Sequence, residues 1–240
     1  MPNPPKAKRA SDRVMEQAKS GTARAALLGV SDGLVTNVSL ILGVAGAGAS
    51  PQVVRLAGVA SLIAGAFSMA VGEYISMRGQ VELLEGVLRA EREQLQENPD
   101  EAIQSLREVL QEDGMTPKTA ATASAEVAAD PEKAMLMYAR GKLGINPDEL
   151  GSVWGSAGSS LVMFSAGALV PLLPWFYTGG AKAIIISLVL SVLGALSIGA
   201  YLGYTTGAHP VKPALRQLFV LILAAAATYL VGRLFGTGVA

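Results

Sequence analysis

The 240-residue sequence contains no cysteine. That excludes disulfides, thiolate metal centres and cysteine nucleophiles. It holds a single histidine, His209, beside Pro210 in a polar stretch, where a solvated imidazole is expected. No nucleophile, base and orienting group occur together, and no glycine-rich nucleotide loop follows a strand pattern, so the chain does not read as an enzyme. Charge is scarce as well: 16% of residues are Asp, Glu, Lys or Arg, against 51% hydrophobic. The mean hydropathy of +0.41 is too high for an ordinary soluble domain. The formal net charge of zero averages a basic tail with an acidic middle, and nothing in it points to nucleic acid.

What charge there is lies in blocks. Between Arg24 and Arg55 the only ionisable residue is Asp32, and between Arg55 and Arg78 it is Glu73. None occurs over 151–181, 183–208 or 217–232. Each run supplies most or all of the roughly 20 residues that a membrane helix needs. The expected fold is therefore all-α and polytopic in the lipid bilayer, with five transmembrane helices near 25–47, 55–77, 153–177, 181–205 and 213–235. The first 24 residues carry six basic and two acidic groups and form a basic tail, not a cleavable signal. The positive-inside rule puts that tail, and the loop holding His209, Lys212 and Arg216, in the cytoplasm and the C-terminus outside.

Residues 78–149 differ in kind, with 15 of the 19 acidic residues and 8 of the 19 basic ones. They are expected to form a cytoplasmic helical insert between transmembrane helices 2 and 3. The segments "NPDE" at Asn98, "TPKT" at Thr116, "DPEK" at Asp130 and "NPDE" at Asn146 each put a capping side chain before a proline suited to the first helical position. Gly114 and Gly144 supply stops. Helices follow near 79–97, 99–113, 117–129 and 131–143, the first continuing the second membrane helix without a break. The domain order is thus 1–24 tail, 25–77 helices 1 and 2, 78–149 insert, and 150–240 helices 3 to 5.

Two acids lie inside the spans at matched depth. Asp32 is seven residues into the first, about 10 Å at 1.5 Å per residue, and Glu73 five residues from the same end of the antiparallel second. An ionised carboxylate in lipid costs at least ~2.5 kcal/mol, so both should face protein or an aqueous path. Met69, Glu73 and Met77 at i, i+4 and i+8 share one helix face, and a thioether beside carboxylates suits a borderline divalent transition metal. Methionine on an apolar helix also serves plain packing. In the insert, Glu82, Glu85 and Glu93 project at about 0°, −60° and +20° around the helix axis. That stripe is either a cation-binding face or a solvated one. Gly199, Gly203 and Gly207 give the fourth span a small-residue packing face. Pro171 and Pro174 should bend or end the third and leave carbonyls for another helix, or a passing ion, to satisfy.

The segments "GVSDGLVTNVSLILGVAGA", "AGAFSMAVGEYISM", the acidic insert ending in "LGI" and "FSAGALVPLLPWF" together resemble the vacuolar iron transporter family, in its bacterial branch. The resemblance implies a homodimer with a pathway at the subunit interface. It further implies export of Fe²⁺, and in some members Mn²⁺, from the cytoplasm in exchange for protons, with metal as substrate and no resident cofactor. The host membrane would be a bacterial plasma membrane. The resemblance carries path-lining roles onto Asp32 and Met69, and metal collection in the insert onto Glu82, Glu85 and Glu93. Departures are Gln96 for a fourth glutamate, Tyr138, Ala139 and Lys142 near the "LGI" element, and Ser61 for a glutamate of the second helix. The metal ligands expected from spacing and resemblance together are Asp32, Met69, Glu73, Glu82, Glu85 and Glu93. A reading of another class is a non-transporting membrane protein whose insert senses metal or docks a partner, which Gln96 and Lys142 favour and the two intramembrane acids do not.

Overall fold

The computed structural model describes residues 21–144, 146, 151–207 and 209–236. The tail before Gly21 and the last four residues lie outside them. The described residues are helical, with no strand among them: α1 Gly21–Gly46, α2 Pro51–Glu97, α3 Pro99–Glu112, α4 Pro117–Ala128, α5 Pro131–Gly141, α6 Val153–Leu172, α7 Pro174–Tyr177, α8 Gly180–Thr205 and α9 Val211–Gly236. Five of these, α1, α2, α6, α8 and α9, are long and apolar enough to cross a membrane. Their bounds fall within a few residues of the expected spans, except that the third stops earlier. Pro171 lies in the last turn of α6, and Pro174 opens the separate turn α7.

Contacts divide the chain into two units, 1–75 with 152–240, and 76–151. In the first, α1 is the hub and packs along α6, α9 and α8. Lipid tails are as apolar as leucine, so close backbone approach and interhelical hydrogen bonds hold such helices together. Both are present. A Cβ placed on Gly33 would run into the carbonyl of Phe164, and one on Gly167 into that of Val30. Asn37, fully buried, donates its amide N–H to the Ala168 carbonyl at 2.7 Å. At the far end of α1, Gly43 meets the backbone of Gly232 in α9. Leu34, Val38 and Leu42 close a core with Ala195, Leu221 and Ala225.

The carbonyl freed at the proline break is satisfied as expected, by another helix. Ser187 of α8 donates to the Pro171 carbonyl at 2.7 Å and accepts from the indole N–H of Trp175 at 3.1 Å. Of the expected glycine face, Gly199 and Gly203 do pack closely at the start of α9: a Cβ placed on Gly199 would lie 2.5 Å from the Ala214 Cα in its first turn, and one on Gly203 2.7 Å from the Cα of Pro210 just before it. Gly207 does not pack. It sits past the end of α8 with φ +67° and open space around it, closing the helix in the left-handed region.

The membrane part of α2 touches the first unit through side chains. Val54 joins Ile41, Leu172, Trp175 and Ala183, and Ala66 joins Phe164 and Ala168. Its other face, Leu56, Ile63, Phe67, Val71 and Ile75, is exposed.

In the second unit the charged part of α2 is followed by three short helices, α3, α4 and α5, each opened by a proline as the sequence predicts. Thr116 accepts from the Thr119 amide, and Asp130 from the Glu132 and Lys133 amides. The Lys133 side chain, followed by those amide bonds, holds the Asp130 carboxyl below its ordinary value. Gly114 and Gly144 take φ +94° and +65°. Asn98 departs from expectation: its side chain makes no cap bond, because Pro99 and the acidic first turn, Asp100 and Glu101, already suit that end. Asn146 accepts from Arg140 at 3.1 Å, and the residues it is expected to cap, 147–150, lie outside the described ones. Leu106, Ala134 and Tyr138 form the small core. Burial, then a hydrogen bond with Glu91, raises the Tyr138 hydroxyl above its ordinary value.

Candidate functional site

The periodicity of α1 puts Ala25, Gly29, Gly33 and Asn37 inward and Arg24, Leu28, Asp32 and Thr36 on an exposed flank about 100° around the helix. Asp32 therefore does not enter the helical core. Its carboxylate accepts from the Thr36 hydroxyl at 3.1 Å, one turn along. Glu73 is more enclosed, its side chain 10% exposed, and receives the Arg24 guanidinium at 3.3 Å. That pair ties the start of α1 to α2. Beside it the rings of Tyr74 and Trp154 stack with centroids 4.8 Å apart. Met69, one turn from Glu73, is half-buried against Ala66, Phe164 and Ala168.

Sequence reasoning missed Arg24, which it left at the end of the basic tail. The depth count that aligned Asp32 with Glu73 contains the signal: Arg24 begins the first span at the level where the second ends, and a long guanidinium side chain covers one turn. Asn37 was missed as well. A carboxamide in mid-span, on the face opposite Asp32, is the mark of an interhelical hydrogen bond.

In the second unit, Met77 is buried and does not stand on an open face. Glu82 is engaged by Arg78 at 2.7 Å. Glu85 lines a cleft of about 260 Å³ with Leu88, Arg89, Arg92 and Met135, so the carboxylate sits among guanidinium groups. Arg92 in turn pairs with Glu132 at 3.0 Å. Glu93 and Gln96 are exposed, and the Lys142 ammonium lies 5.3 Å from the centre of the Tyr138 ring. Among the described residues, no three His, Cys, Asp or Glu side chains converge on a point that could hold a metal ion. The acids stand singly or with a cation.

Five apolar helices, with a charged helical segment between the second and third, define a multi-pass membrane protein. The model of the VIT family matches residues 23–233, and the chain belongs to that family. It is similar to vacuolar iron transporter 1 of Eucalyptus grandis, 30% identical over 204 residues, covering 85% of this chain and 82% of the relative. The vacuolar iron transporter of Acanthamoeba castellanii is 33% identical over 224 residues, 91% of this chain and 80% of its own length. Vacuolar iron transporter homolog 2 of Arabidopsis thaliana is 32% identical over 219 residues, with 91% and 86% covered.

Proposed function

We propose that the protein exports a divalent transition metal, Fe²⁺ and also Mn²⁺, from the cytoplasm in exchange for protons, working as a homodimer in a bacterial plasma membrane. The basic tail and the acidic insert face the cytoplasm in this reading. The iron-transporter relatives support the substrate class.

Asp32 carries the reading. A carboxylate on the exposed face of a membrane helix, stabilised by a single hydroxyl contact, costs at least ~2.5 kcal/mol if lipid covers it. A second copy covering that face would remove the cost. It would also bury the apolar row Leu56, Ile63, Phe67, Val71 and Ile75 on α2. A cation at the subunit interface would then meet Asp32 from each copy, with Met69 as a soft ligand and Glu73 one turn nearer the cytoplasm. No single copy gathers three ligands among the described residues, and two-fold symmetry doubles each of them.

Coupling follows from competition, since a carboxylate holds either a proton or a metal ion. Protonation from the outer side discharges Asp32 and Glu73 and releases the cation. Glu82, Glu85 and Glu93 act before this, as a weak collecting surface, because Arg78, Arg89 and Arg92 compete for the same carboxylates. Of the two acid-bearing helices, α2 is the one that moves. α1 is interlocked with α6 and α9 through backbone contacts at Gly33, Gly167 and Gly232, while α2 is held by side chains.

The test is metal uptake into inside-out vesicles driven by a pH gradient. Asp32→Asn and Met69→Ala are expected to abolish or strongly reduce uptake, and Glu73→Gln to reduce it and flatten its pH dependence. Glu126→Gln in the insert should be near neutral. Parental rate and pH profile in both acid variants would make these carboxylates packing residues and favour the non-transporting reading.

A further inference from the structure

A groove of about 680 Å³ opens between the first halves of α1 and the last turns of α8, with Met163 of α6 at its base. Its walls are apolar, formed by Ala26, Leu27 and Val30 on one side and Ile198 and Leu202 on the other. One end carries Arg24 and Tyr201. The volume is that of a small-molecule site, and from Arg24 to Val30 the wall runs about 9 Å along the helix. An apolar trough with a cation at its mouth, between membrane helices, matches an amphiphile with an anionic head.

The donors suit a phosphate. Arg24 has five N–H groups in a planar fork, and the hydrogen bond to Glu73 uses one of them. Its side chain is 59% exposed. Tyr201, which also lines the groove, carries a hydroxyl that can donate. The hydroxyls of Ser197, Thr205 and Thr206 donate to carbonyls of their own helix, so they offer lone pairs and leave the charge recognition to Arg24. Five further Lys or Arg residues precede Gly21 in the sequence against two acids. Basic residues flanking a span draw anionic lipid to that leaflet.

We propose that this groove binds one acyl chain of an anionic phospholipid whose phosphate pairs with Arg24. The phosphate takes the remaining N–H donors and shares the single positive charge of the guanidinium with the Glu73 carboxylate, which weakens the attraction between Arg24 and Glu73. A bound lipid therefore loosens the tie between α1 and α2 and leaves Glu73 open to a cation. The lipid site stands on the groove and its charge alone, while the consequence for cation binding rests on the transport reading above.

Native mass spectrometry of the full chain in detergent, titrated with phosphatidylglycerol and phosphatidylcholine of identical acyl chains, tests the site. The first phosphatidylglycerol is expected to bind about fivefold more tightly than phosphatidylcholine, the effect of one basic residue at a lipid surface. Arg24→Gln should erase that preference and Arg24→Lys should keep part of it. Ser197→Phe, which fills the groove, should weaken both lipids. Replacing Lys6, Lys8 and Arg9 by Gln should leave the single-site preference in place. Equal affinity for the two lipids, a preference that survives Arg24→Gln, or displacement of the lipid by an equal concentration of inorganic phosphate would each overturn the lipid site. In nanodiscs, phosphatidylglycerol should raise Mn²⁺ occupancy, read by electron paramagnetic resonance, in the parent and not in Arg24→Gln. If lipid binding behaves as stated and Mn²⁺ occupancy is the same in both lipids, competition at Glu73 is refuted while the lipid site stands.

Discussion

Gly167→Ala measures how far the fold depends on backbone contact between α1 and α6. The added methyl would coincide with the Val30 carbonyl and lie 2.9 Å from the Leu34 amide nitrogen and 3.0 Å from the Val30 carbonyl carbon. Ordinary carbon contacts sit at about 3.5–4.0 Å, so the helices must separate. Rotating a side chain cannot relieve the clash, because the opposing atoms are main chain. Inserting a methyl into such a packed site costs about 1–3 kcal/mol, and the upper half of that range applies where both surfaces are rigid helices. For a chain of this size each kcal/mol moves the melting midpoint by about 2–4 °C, which gives a fall of about 4–12 °C in a detergent thermal-unfolding assay. Gly158→Ala is the matched control. It lies in the same helix with nothing within 4 Å of its added methyl, so only helix propensity acts, worth up to ~1 kcal/mol in favour of alanine. Its midpoint should hold or rise. Equal midpoints for the two variants would refute the reasoning, and so would a fall for Gly158→Ala alone.

Ser187→Ala leaves the Pro171 carbonyl and the Trp175 indole N–H without their buried partner. A loss of about 1–2 kcal/mol is expected, with a double change including Trp175→Phe costing less than the sum of the single ones in the same unfolding assay. In the insert, the isolated segment 79–146 should bind Mn²⁺ only weakly by calorimetry, since Arg92 pairs with Glu132 and no three of its described acids converge on one point. Gln96→Glu with Lys142→Glu should tighten it. Tight binding by the parent segment, lost when Glu82 and Glu85 become Gln, would show that the arginines do not compete.

The spans were legible because charge is excluded from them, and the insert because Pro, Asx and Gly punctuate it: Thr116 and Asp130 cap as read, and Gly114 and Gly144 take left-handed backbone. What was not legible is which residues meet across helices. Asn98 stands before a proline as the true caps Thr116 and Asp130 do, yet its side chain makes no cap bond. The proline and the acidic first turn set that helix start without it. Gly207 fits the four-residue rhythm of Gly199 and Gly203, but α8 ends before it, so a periodic face became a helix stop. Arg24 looked like tail because its partner lies 49 positions away in sequence, a distance that no local pattern spans.

The two acids owe their different surroundings to the way each helix is fastened. α1 must present Gly29, Gly33 and Asn37 to α6, and with 3.6 residues per turn this turns Asp32 about 100° away from that seam, onto an exposed flank. Its exposure is thus a consequence of the packing that makes α1 immobile. α2 has no comparable backbone seam; Ala66, Met69 and Gly65 rest on the Phe164 ring, a contact that can slide. Glu73 therefore requires a charged tether, and Arg24 supplies it from the fixed helix. A fixed acid facing outward and a second acid on a helix held by side chains are the arrangement in which a cation, a proton or a lipid phosphate can each change the attachment of α2 without disturbing the seam between α1 and α6. Replacing Arg24 and replacing Gly167 should for that reason have distinguishable effects: both lower the melting midpoint, and only the first also changes cation occupancy.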